Sequence, residues 1–167
     1  MTYTIHATKK LLGRVKRPVE APVDQPSTAL GNWYATAMFW KPQVALFVNE
    51  RTLLPVLVPL APATKLAQRF PQTLGRVLEA LGTPIEFVLQ EVGAMSEVSY
   101  AKTANRSVVG SMSDFAFLAE AGRAHGSGED LDALSVHLAG TPCSPLRKGH
   151  GFPDRELEAL VAQVLGC

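Results

Sequence analysis

Three β-forming runs lie between Asn32 and Leu60, separated by turns too short for any crossover. Trp33 to Trp40 is rich in aromatics, Lys41-Pro42-Gln43 reads as a turn, and Val44 to Val48 is a continuous apolar run. Asn49-Glu50-Arg51-Thr52 forms the next turn, and Leu53 to Val58 the following strand. Parallel neighbours need about a dozen connecting residues or more, so these runs are expected to pair antiparallel as a meander. Pro55 has no N–H to give a ladder, which places its strand at an edge or a bulge.

The remaining segments supply helices to cover such a sheet. Tyr3, Ile5 and Ala7 alternate with polar residues, the period of a half-buried strand. Leu11, Leu12 and Val15 fit a short basic helix, and Pro18, Pro22 and Pro26 mark an extended connection over 18–31. Leu66, Phe70, Leu74, Val77, Leu78 and Leu81 fall on one helical face. Pro71 makes this either a kinked helix or two helices, and Gly82 suits its C-terminal cap. Ile85 to Leu89 reads as a fourth strand and Val98 to Ala101 as a fifth. Helices follow from about Ala104 to His125, ending at Gly126, then near Glu129 to Ala139 and Asp154 to Leu165, with a Pro/Gly-rich loop over 140–153. The expectation is a single α+β domain, an antiparallel meander sheet packed against several helices.

Composition bounds function by exclusion. A chain of 167 residues with 47% hydrophobic and 19% charged residues suits one globular core. Lys+Arg (16) nearly balance Asp+Glu (15), so the global charge advertises no nucleic-acid or membrane partner. The longest apolar stretch, Leu53 to Ala63, is broken by three prolines and is too short to span a bilayer. Cys143 and Cys167 show no metal-ligand spacing and read as free thiols in a reducing, cytoplasmic compartment. His125, His137 and His150 have no partner at metal-ligand spacing, and His125 falls near a helix end, where a cation suits the dipole. No P-loop, dinucleotide fingerprint, Gly-x-Ser-x-Gly elbow, zinc finger or RNA-recognition signature is present, so neither a cofactor nor a metal is expected.

The segment from Lys102 to Asp114 carries the most information. Thr103 is placed to cap the long helix, whose core face is Val108, Met112, Phe115 and Ala119. Thr103, Ser107, Gly110, Ser111 and Asp114 form a small, hydrogen-bonding stripe on nearly the opposite side. Lys102, Asn105 and Arg106 stand at the helix start, where unpaired N–H groups and the dipole favour a phosphate or carboxylate. The plainer reading is a capped helix with a surface arginine and tight packing along the small residues.

Ser99 to Phe115 resembles the signature of an uncharacterised bacterial family, a domain of unknown function, through Lys102-Thr103-Ala104-Asn105-Arg106-Ser107-Val108-Val109-Gly110-Ser111-Met112-Ser113-Asp114-Phe115. The opening His6-Ala7-Thr8-Lys9-Lys10-Leu11 is similar to the same family, as are Asn32-Trp33-Tyr34-Ala35 and Leu46-Phe47-Val48-Asn49-Glu50-Arg51-Thr52. The resemblance covers most of the chain from His6 to about Leu118. It implies family membership and a bacterial origin, and it implies no activity.

Secondary candidates are His6, Lys9, Lys10 and Arg51. His6 sits on the polar side of the first strand, close to two lysines that can meet phosphate; a lone strand histidine is more often simply hydrogen-bonded. Three functional readings follow. The favoured one is a non-enzymatic domain that binds an anionic partner, nucleotide or nucleic acid, near the start of the 104–125 helix. The second is an interaction or regulatory subunit, or homodimer, that meets its partner at the edge strand around Pro55 or the aromatic strand. The third is a small metal-independent enzyme acting on a phosphate-containing substrate, with His6, Lys102 and Arg106 converging.

Overall fold

The computed structural model describes residues 2–123 and 130–166. Strands β1 (Thr2–Ala7), β2 (Trp33–Met38), β3 (Val44–Asn49), β4 (Pro55–Pro59) and β5 (Glu97–Lys102) form one sheet in the order β4-β3-β2-β1-β5. The helices are α1 (Lys9–Val15), α2 (Leu66–Ala80), α3 (Ile85–Ala94), α4 (Arg106–Gly122), α5 (Leu131–Ala139) and α6 (Pro153–Leu165). No helix among the described residues is long and apolar enough to cross a membrane.

The meander expected from the two short turns is present: β2, β3 and β4 pair antiparallel in chain order. The sheet as a whole is mixed, however, because β1 runs parallel to both β2 and β5. Parallel pairing needs long connections. The segments from Thr8 to Asn32 and from Leu60 to Ser96 provide them. The expected strand over Ile85 to Leu89 is instead the first half of α3. Its buried residues, Phe87, Val88, Glu91 and Ala94, recur at helical spacing, and a buried acid at Glu91 disguised the pattern. Pro71 lies inside one continuous α2 rather than between two helices. The expected helix end at Gly126, with His125 and Glu129, lies outside the described residues.

Two cores sandwich the sheet. On one face Tyr3, Ile5, Trp33, Ala35 and Phe47 meet Leu11 of α1, Phe70 and Leu74 of α2, Phe87 of α3 and Leu157 of α6. Phe70 stacks on Phe47 with centroids 3.9 Å apart and meets Trp33 edge-on at 5.0 Å. On the other face Tyr34, Met38, Leu46 and Leu57 meet Val108, Met112 and Phe115 of α4 and Leu134 and Leu138 of α5. Because both faces are covered, β1 is not half-buried: Thr4 and His6 are as enclosed as their apolar neighbours.

Both sheet edges are closed. Of the edge or bulge that Pro55 allowed, β4 is an edge strand, but α5 lies along it, and Pro55 itself is buried. Pro55, Leu57 and Pro59 share its outward row. The two prolines have no N–H, and Leu57 N–H donates to Ser135 Oγ (2.9 Å), which in turn donates to Leu131 O (2.8 Å). At the opposite edge Val19 bridges to Tyr100, Glu20 N–H donates to Tyr100 O (2.8 Å), and Arg17 reaches Val98 O. The Pro-rich connection continues to β1, where Val23 N–H donates to Thr4 Oγ1 and Ser27 N–H to Thr2 O.

Buried polar groups fasten the end of that connection. Glu91, 2% exposed, accepts from Ala29 N–H (2.8 Å) and Leu30 N–H (2.9 Å). Asn49 Oδ1 accepts from the N–H groups of Arg51 and Thr52 and from the Thr52 hydroxyl, while its Nδ2 donates to Leu30 O. The Asn49 to Thr52 motif is therefore a turn that staples the β3–β4 hairpin to the loop before β2.

Two outcomes are expected from these contacts. Ser135→Ala leaves the Leu57 N–H buried without an acceptor and destabilises the fold by about 1–3 kcal/mol, read as a lower urea midpoint at unchanged slope. Burial raises the Glu91 carboxyl above its ordinary value of 4.5, against the lowering effect of the two N–H donors and Arg51. A raised carboxyl binds its proton more tightly when folded, so this contribution is present in full below that ordinary value and lost as pH rises through the folded one. Wild type should therefore lose stability relative to the non-titrating Glu91→Gln as pH is raised from acid; parallel melting curves across that range would refute this.

Candidate functional site

The parallel register brings the ends of β1 and β5 to one rim, beside the middle of β2. Ala7, the last residue of β1, lies opposite Ala35 of β2 and Lys102 of β5. β2 continues to Met38, still paired with β3, so the hairpin rises above the end of β1 as a step. From this rim α1 leaves over one face of the sheet and α4 over the other. Strand ends whose connections part to opposite faces leave a crevice, the usual ligand position in open sheets with parallel strands.

The crevice is a groove of about 680 Å³. Thr8, Lys9 and Lys10 form its floor, just after β1. Its walls are the end of β2 with the two residues that follow it, Thr36 to Trp40, and the flank of α4 carrying Val109, Met112, Ser113, Ala116 and Glu120. Thr8 and Thr36 tie floor to wall through their hydroxyls, 2.9 Å apart. α4 runs alongside β2 in the same sense: Asn105 N–H donates to Tyr34 Oη (2.8 Å) at one end, and Arg123 lies over the Trp40 ring (4.8 Å) at the other.

Beneath the rim His6 is 5% exposed and stacks on Tyr34, with centroids 4.6 Å apart and planes 18° from parallel. Its Nδ1 is 2.9 Å from Lys102 O. A carbonyl only accepts, so Nδ1 carries the proton and, in the neutral ring, Nε2 is left as an acceptor. No partner for Nε2 occurs among the described residues. Tyr34 Oη accepts from Asn105 and keeps its own hydrogen to donate.

The cap of α4 is Asn105, not Thr103. Its Oδ1 accepts from Ser107 N–H (2.9 Å) and Val108 N–H (3.3 Å), and the helix begins at Arg106 rather than Ala104. The side-chain amide reaches these donors from an extended backbone, as caps require. Two first-turn N–H groups are thus already satisfied, so what this terminus offers an anion is mainly side-chain charge. Lys9, Lys10, Lys102 and Arg106 are all exposed, and none forms an ion pair among the described residues.

The polar stripe of α4 faces elsewhere. Arg106, Ser107, Gly110, Ser111 and Asp114 line a second cleft of about 260 Å³ on the opposite flank, closed by the loop from Thr141 to Pro145. Burial, with Asp114 nearby, pushes the Cys143 thiol there up to about 11, so it is a poor nucleophile at neutral pH. The expected residues are therefore divided: Lys9 and Lys10 on one flank of α4, Ser107, Ser111 and Asp114 on the other, Lys102 and Thr103 at its head. His6 lines neither cleft, although its ring contacts Lys102. Arg51 is remote from all of them, donating to Ala29 O at the opposite end of β2. Thr8, Thr36 and Phe39 line the groove and Tyr34 holds the start of α4 beside it, and none of the four was among the expected site residues. Tyr34 and Thr8 lie inside motifs that the sequence did display, but only the sheet register shows that these motifs meet.

The hydrogen bond to Lys102 O makes a spectroscopic expectation. The neutral His6 ring should carry its proton at Nδ1, seen in the ring ¹⁵N shifts; an Nε2-protonated neutral ring would contradict this geometry.

No curated protein and no solved structure matches the chain. The model of one family, a domain of unknown function designated DUF6933, matches residues 4–156, a span that holds the whole sheet except the first two residues of β1 together with both walls of the crevice. By that match the chain belongs to the DUF6933 family.

Proposed function

We propose that this domain binds a phosphate-bearing ligand at the rim over β1 and β5, and that it does so as a binding module rather than an enzyme. One observation carries the reading: Lys9, Lys10 and Lys102 follow or end the parallel strands β1 and β5, exposed and without a carboxylate partner among the described residues, and Arg106, at the start of α4 and on the flank of the second cleft, is likewise exposed. Like charges at one end of a nearly neutral chain repel one another, and an anion relieves that repulsion. The start of α4 adds the positive end of its dipole.

The other two readings draw less support. A catalytic trio of His6, Lys102 and Arg106 needs all three around one substrate, while Arg106 faces the second cleft. A partner docking on β4 finds that edge occupied by α5.

Calorimetric titration with inorganic pyrophosphate at low salt tests the proposal. Binding should weaken as salt is raised, and Lys102→Ala with Arg106→Ala should lower affinity by at least about tenfold, since hydrogen bonds to charged groups contribute about 1.5–3 kcal/mol. Absence of binding, or equal binding by the double variant, would remove it.

A further inference from the structure

We infer that the ligand carries a flat aromatic ring beside its phosphate: a mononucleotide, its base in the groove between the end of β2 and α4. The inference rests on the phosphate reading above and adds what the rest of the ligand must be.

A phosphate alone would need only the floor. The groove extends well past Lys9 and Lys10, and its volume of about 680 Å³ is that of a small-molecule site. Its upper walls are apolar and soft. Met38, Trp40 and Met112 are packed in place with only their edges showing, and thioethers adapt well to aromatic faces. Phe39, the residue after β2, lines the groove and is 55% exposed, whereas Trp33, Tyr34 and Trp40 on either side of it in sequence are buried. A base laid against Phe39 would take both rings out of water.

Charge along the groove has the matching polarity. Thr8 donates its N–H to Ala35 O, which sets the floor lysines level with Thr36 and the first turns of α4. Glu120 lies 11 residues beyond Val109 on the same flank, roughly 16 Å along the helix axis. One end therefore suits phosphate, and the other offers a carboxylate to the amino group of a base. Between them the paired hydroxyls of Thr8 and Thr36 keep one hydrogen free to donate to a sugar or phosphate oxygen.

The test compares adenosine 5′-diphosphate, guanosine 5′-diphosphate and inorganic pyrophosphate by calorimetry on the full chain. At least one nucleotide should bind tighter than pyrophosphate by roughly five- to a hundredfold, the range expected for stacking one base. Phe39→Ala should abolish that advantage and leave pyrophosphate affinity unchanged. Phe39→Trp should keep it, and Lys9→Ala with Lys10→Ala should weaken all three ligands. Phe39 is largely exposed, so its variants should melt as wild type does. Equal affinity for nucleotide and pyrophosphate, or a Phe39→Ala variant that binds nucleotide normally, overturns the inference while the phosphate reading stands. Failure of all three ligands to bind overturns both. Binding of single-stranded oligonucleotides without mononucleotide binding overturns it in favour of a strand-binding groove.

Discussion

β1 ends in register with β5, and both ends point the same way. In a parallel pair the residues that follow each strand emerge on one rim; in an antiparallel pair they would lie at opposite ends of the sheet. The pairing of Ala7 with Lys102 therefore brings Thr8, Lys9 and Lys10 within reach of a cation from more than ninety positions later in the chain. It also sets the His6 ring against the carbonyl of Lys102. The height of β2 above this rim, and the seating of α4 on the hairpin, then define a space with a charged floor and apolar walls.

The opposite end of the sheet is spent on holding the fold. Glu91, Asn32 and Asn49 are buried polar side chains, each hydrogen-bonded to backbone that no strand or helix satisfies. Unpaired, such groups would be costly; paired, they fix the approach to β2 and hence its register against β1. Two motifs that look equally polar in sequence thus have different work. Asn49 to Thr52 is architecture, whereas Lys102 to Arg106 sits on the rim with its cations exposed.

Much of the architecture was legible where local rules decide it. Turns such as Lys41-Pro42-Gln43 leave only antiparallel pairing for the strands beside them, and the helical spacing of Leu66 to Leu81 survives an internal proline. What escaped was non-local. Nothing within Thr2 to Ala7 states that its neighbours will be parallel, and a short apolar run such as Ile85 to Leu89 suits a strand or a buried helix equally. At the rim, Lys102, Asn105 and Arg106 were legible as a helix start. The cap fell two residues from its expected place because threonine and asparagine both cap well and only backbone geometry chooses between them. Tyr34 and Phe39 were hidden in an aromatic strand, where alternation alone does not say which rings will be covered.

The prolines of β4 have a consequence beyond that strand. An edge strand ordinarily displays a row of donors on which another chain can add itself, the route to fibrils and runaway self-association. Here Pro55 and Pro59 remove two of those donors at the level of covalent structure, and the third is tied to a serine of α5. Even if α5 lifted away, a second molecule would find a single amide to grip. The sheet is guarded twice, and the first guard needs no folding to be in place.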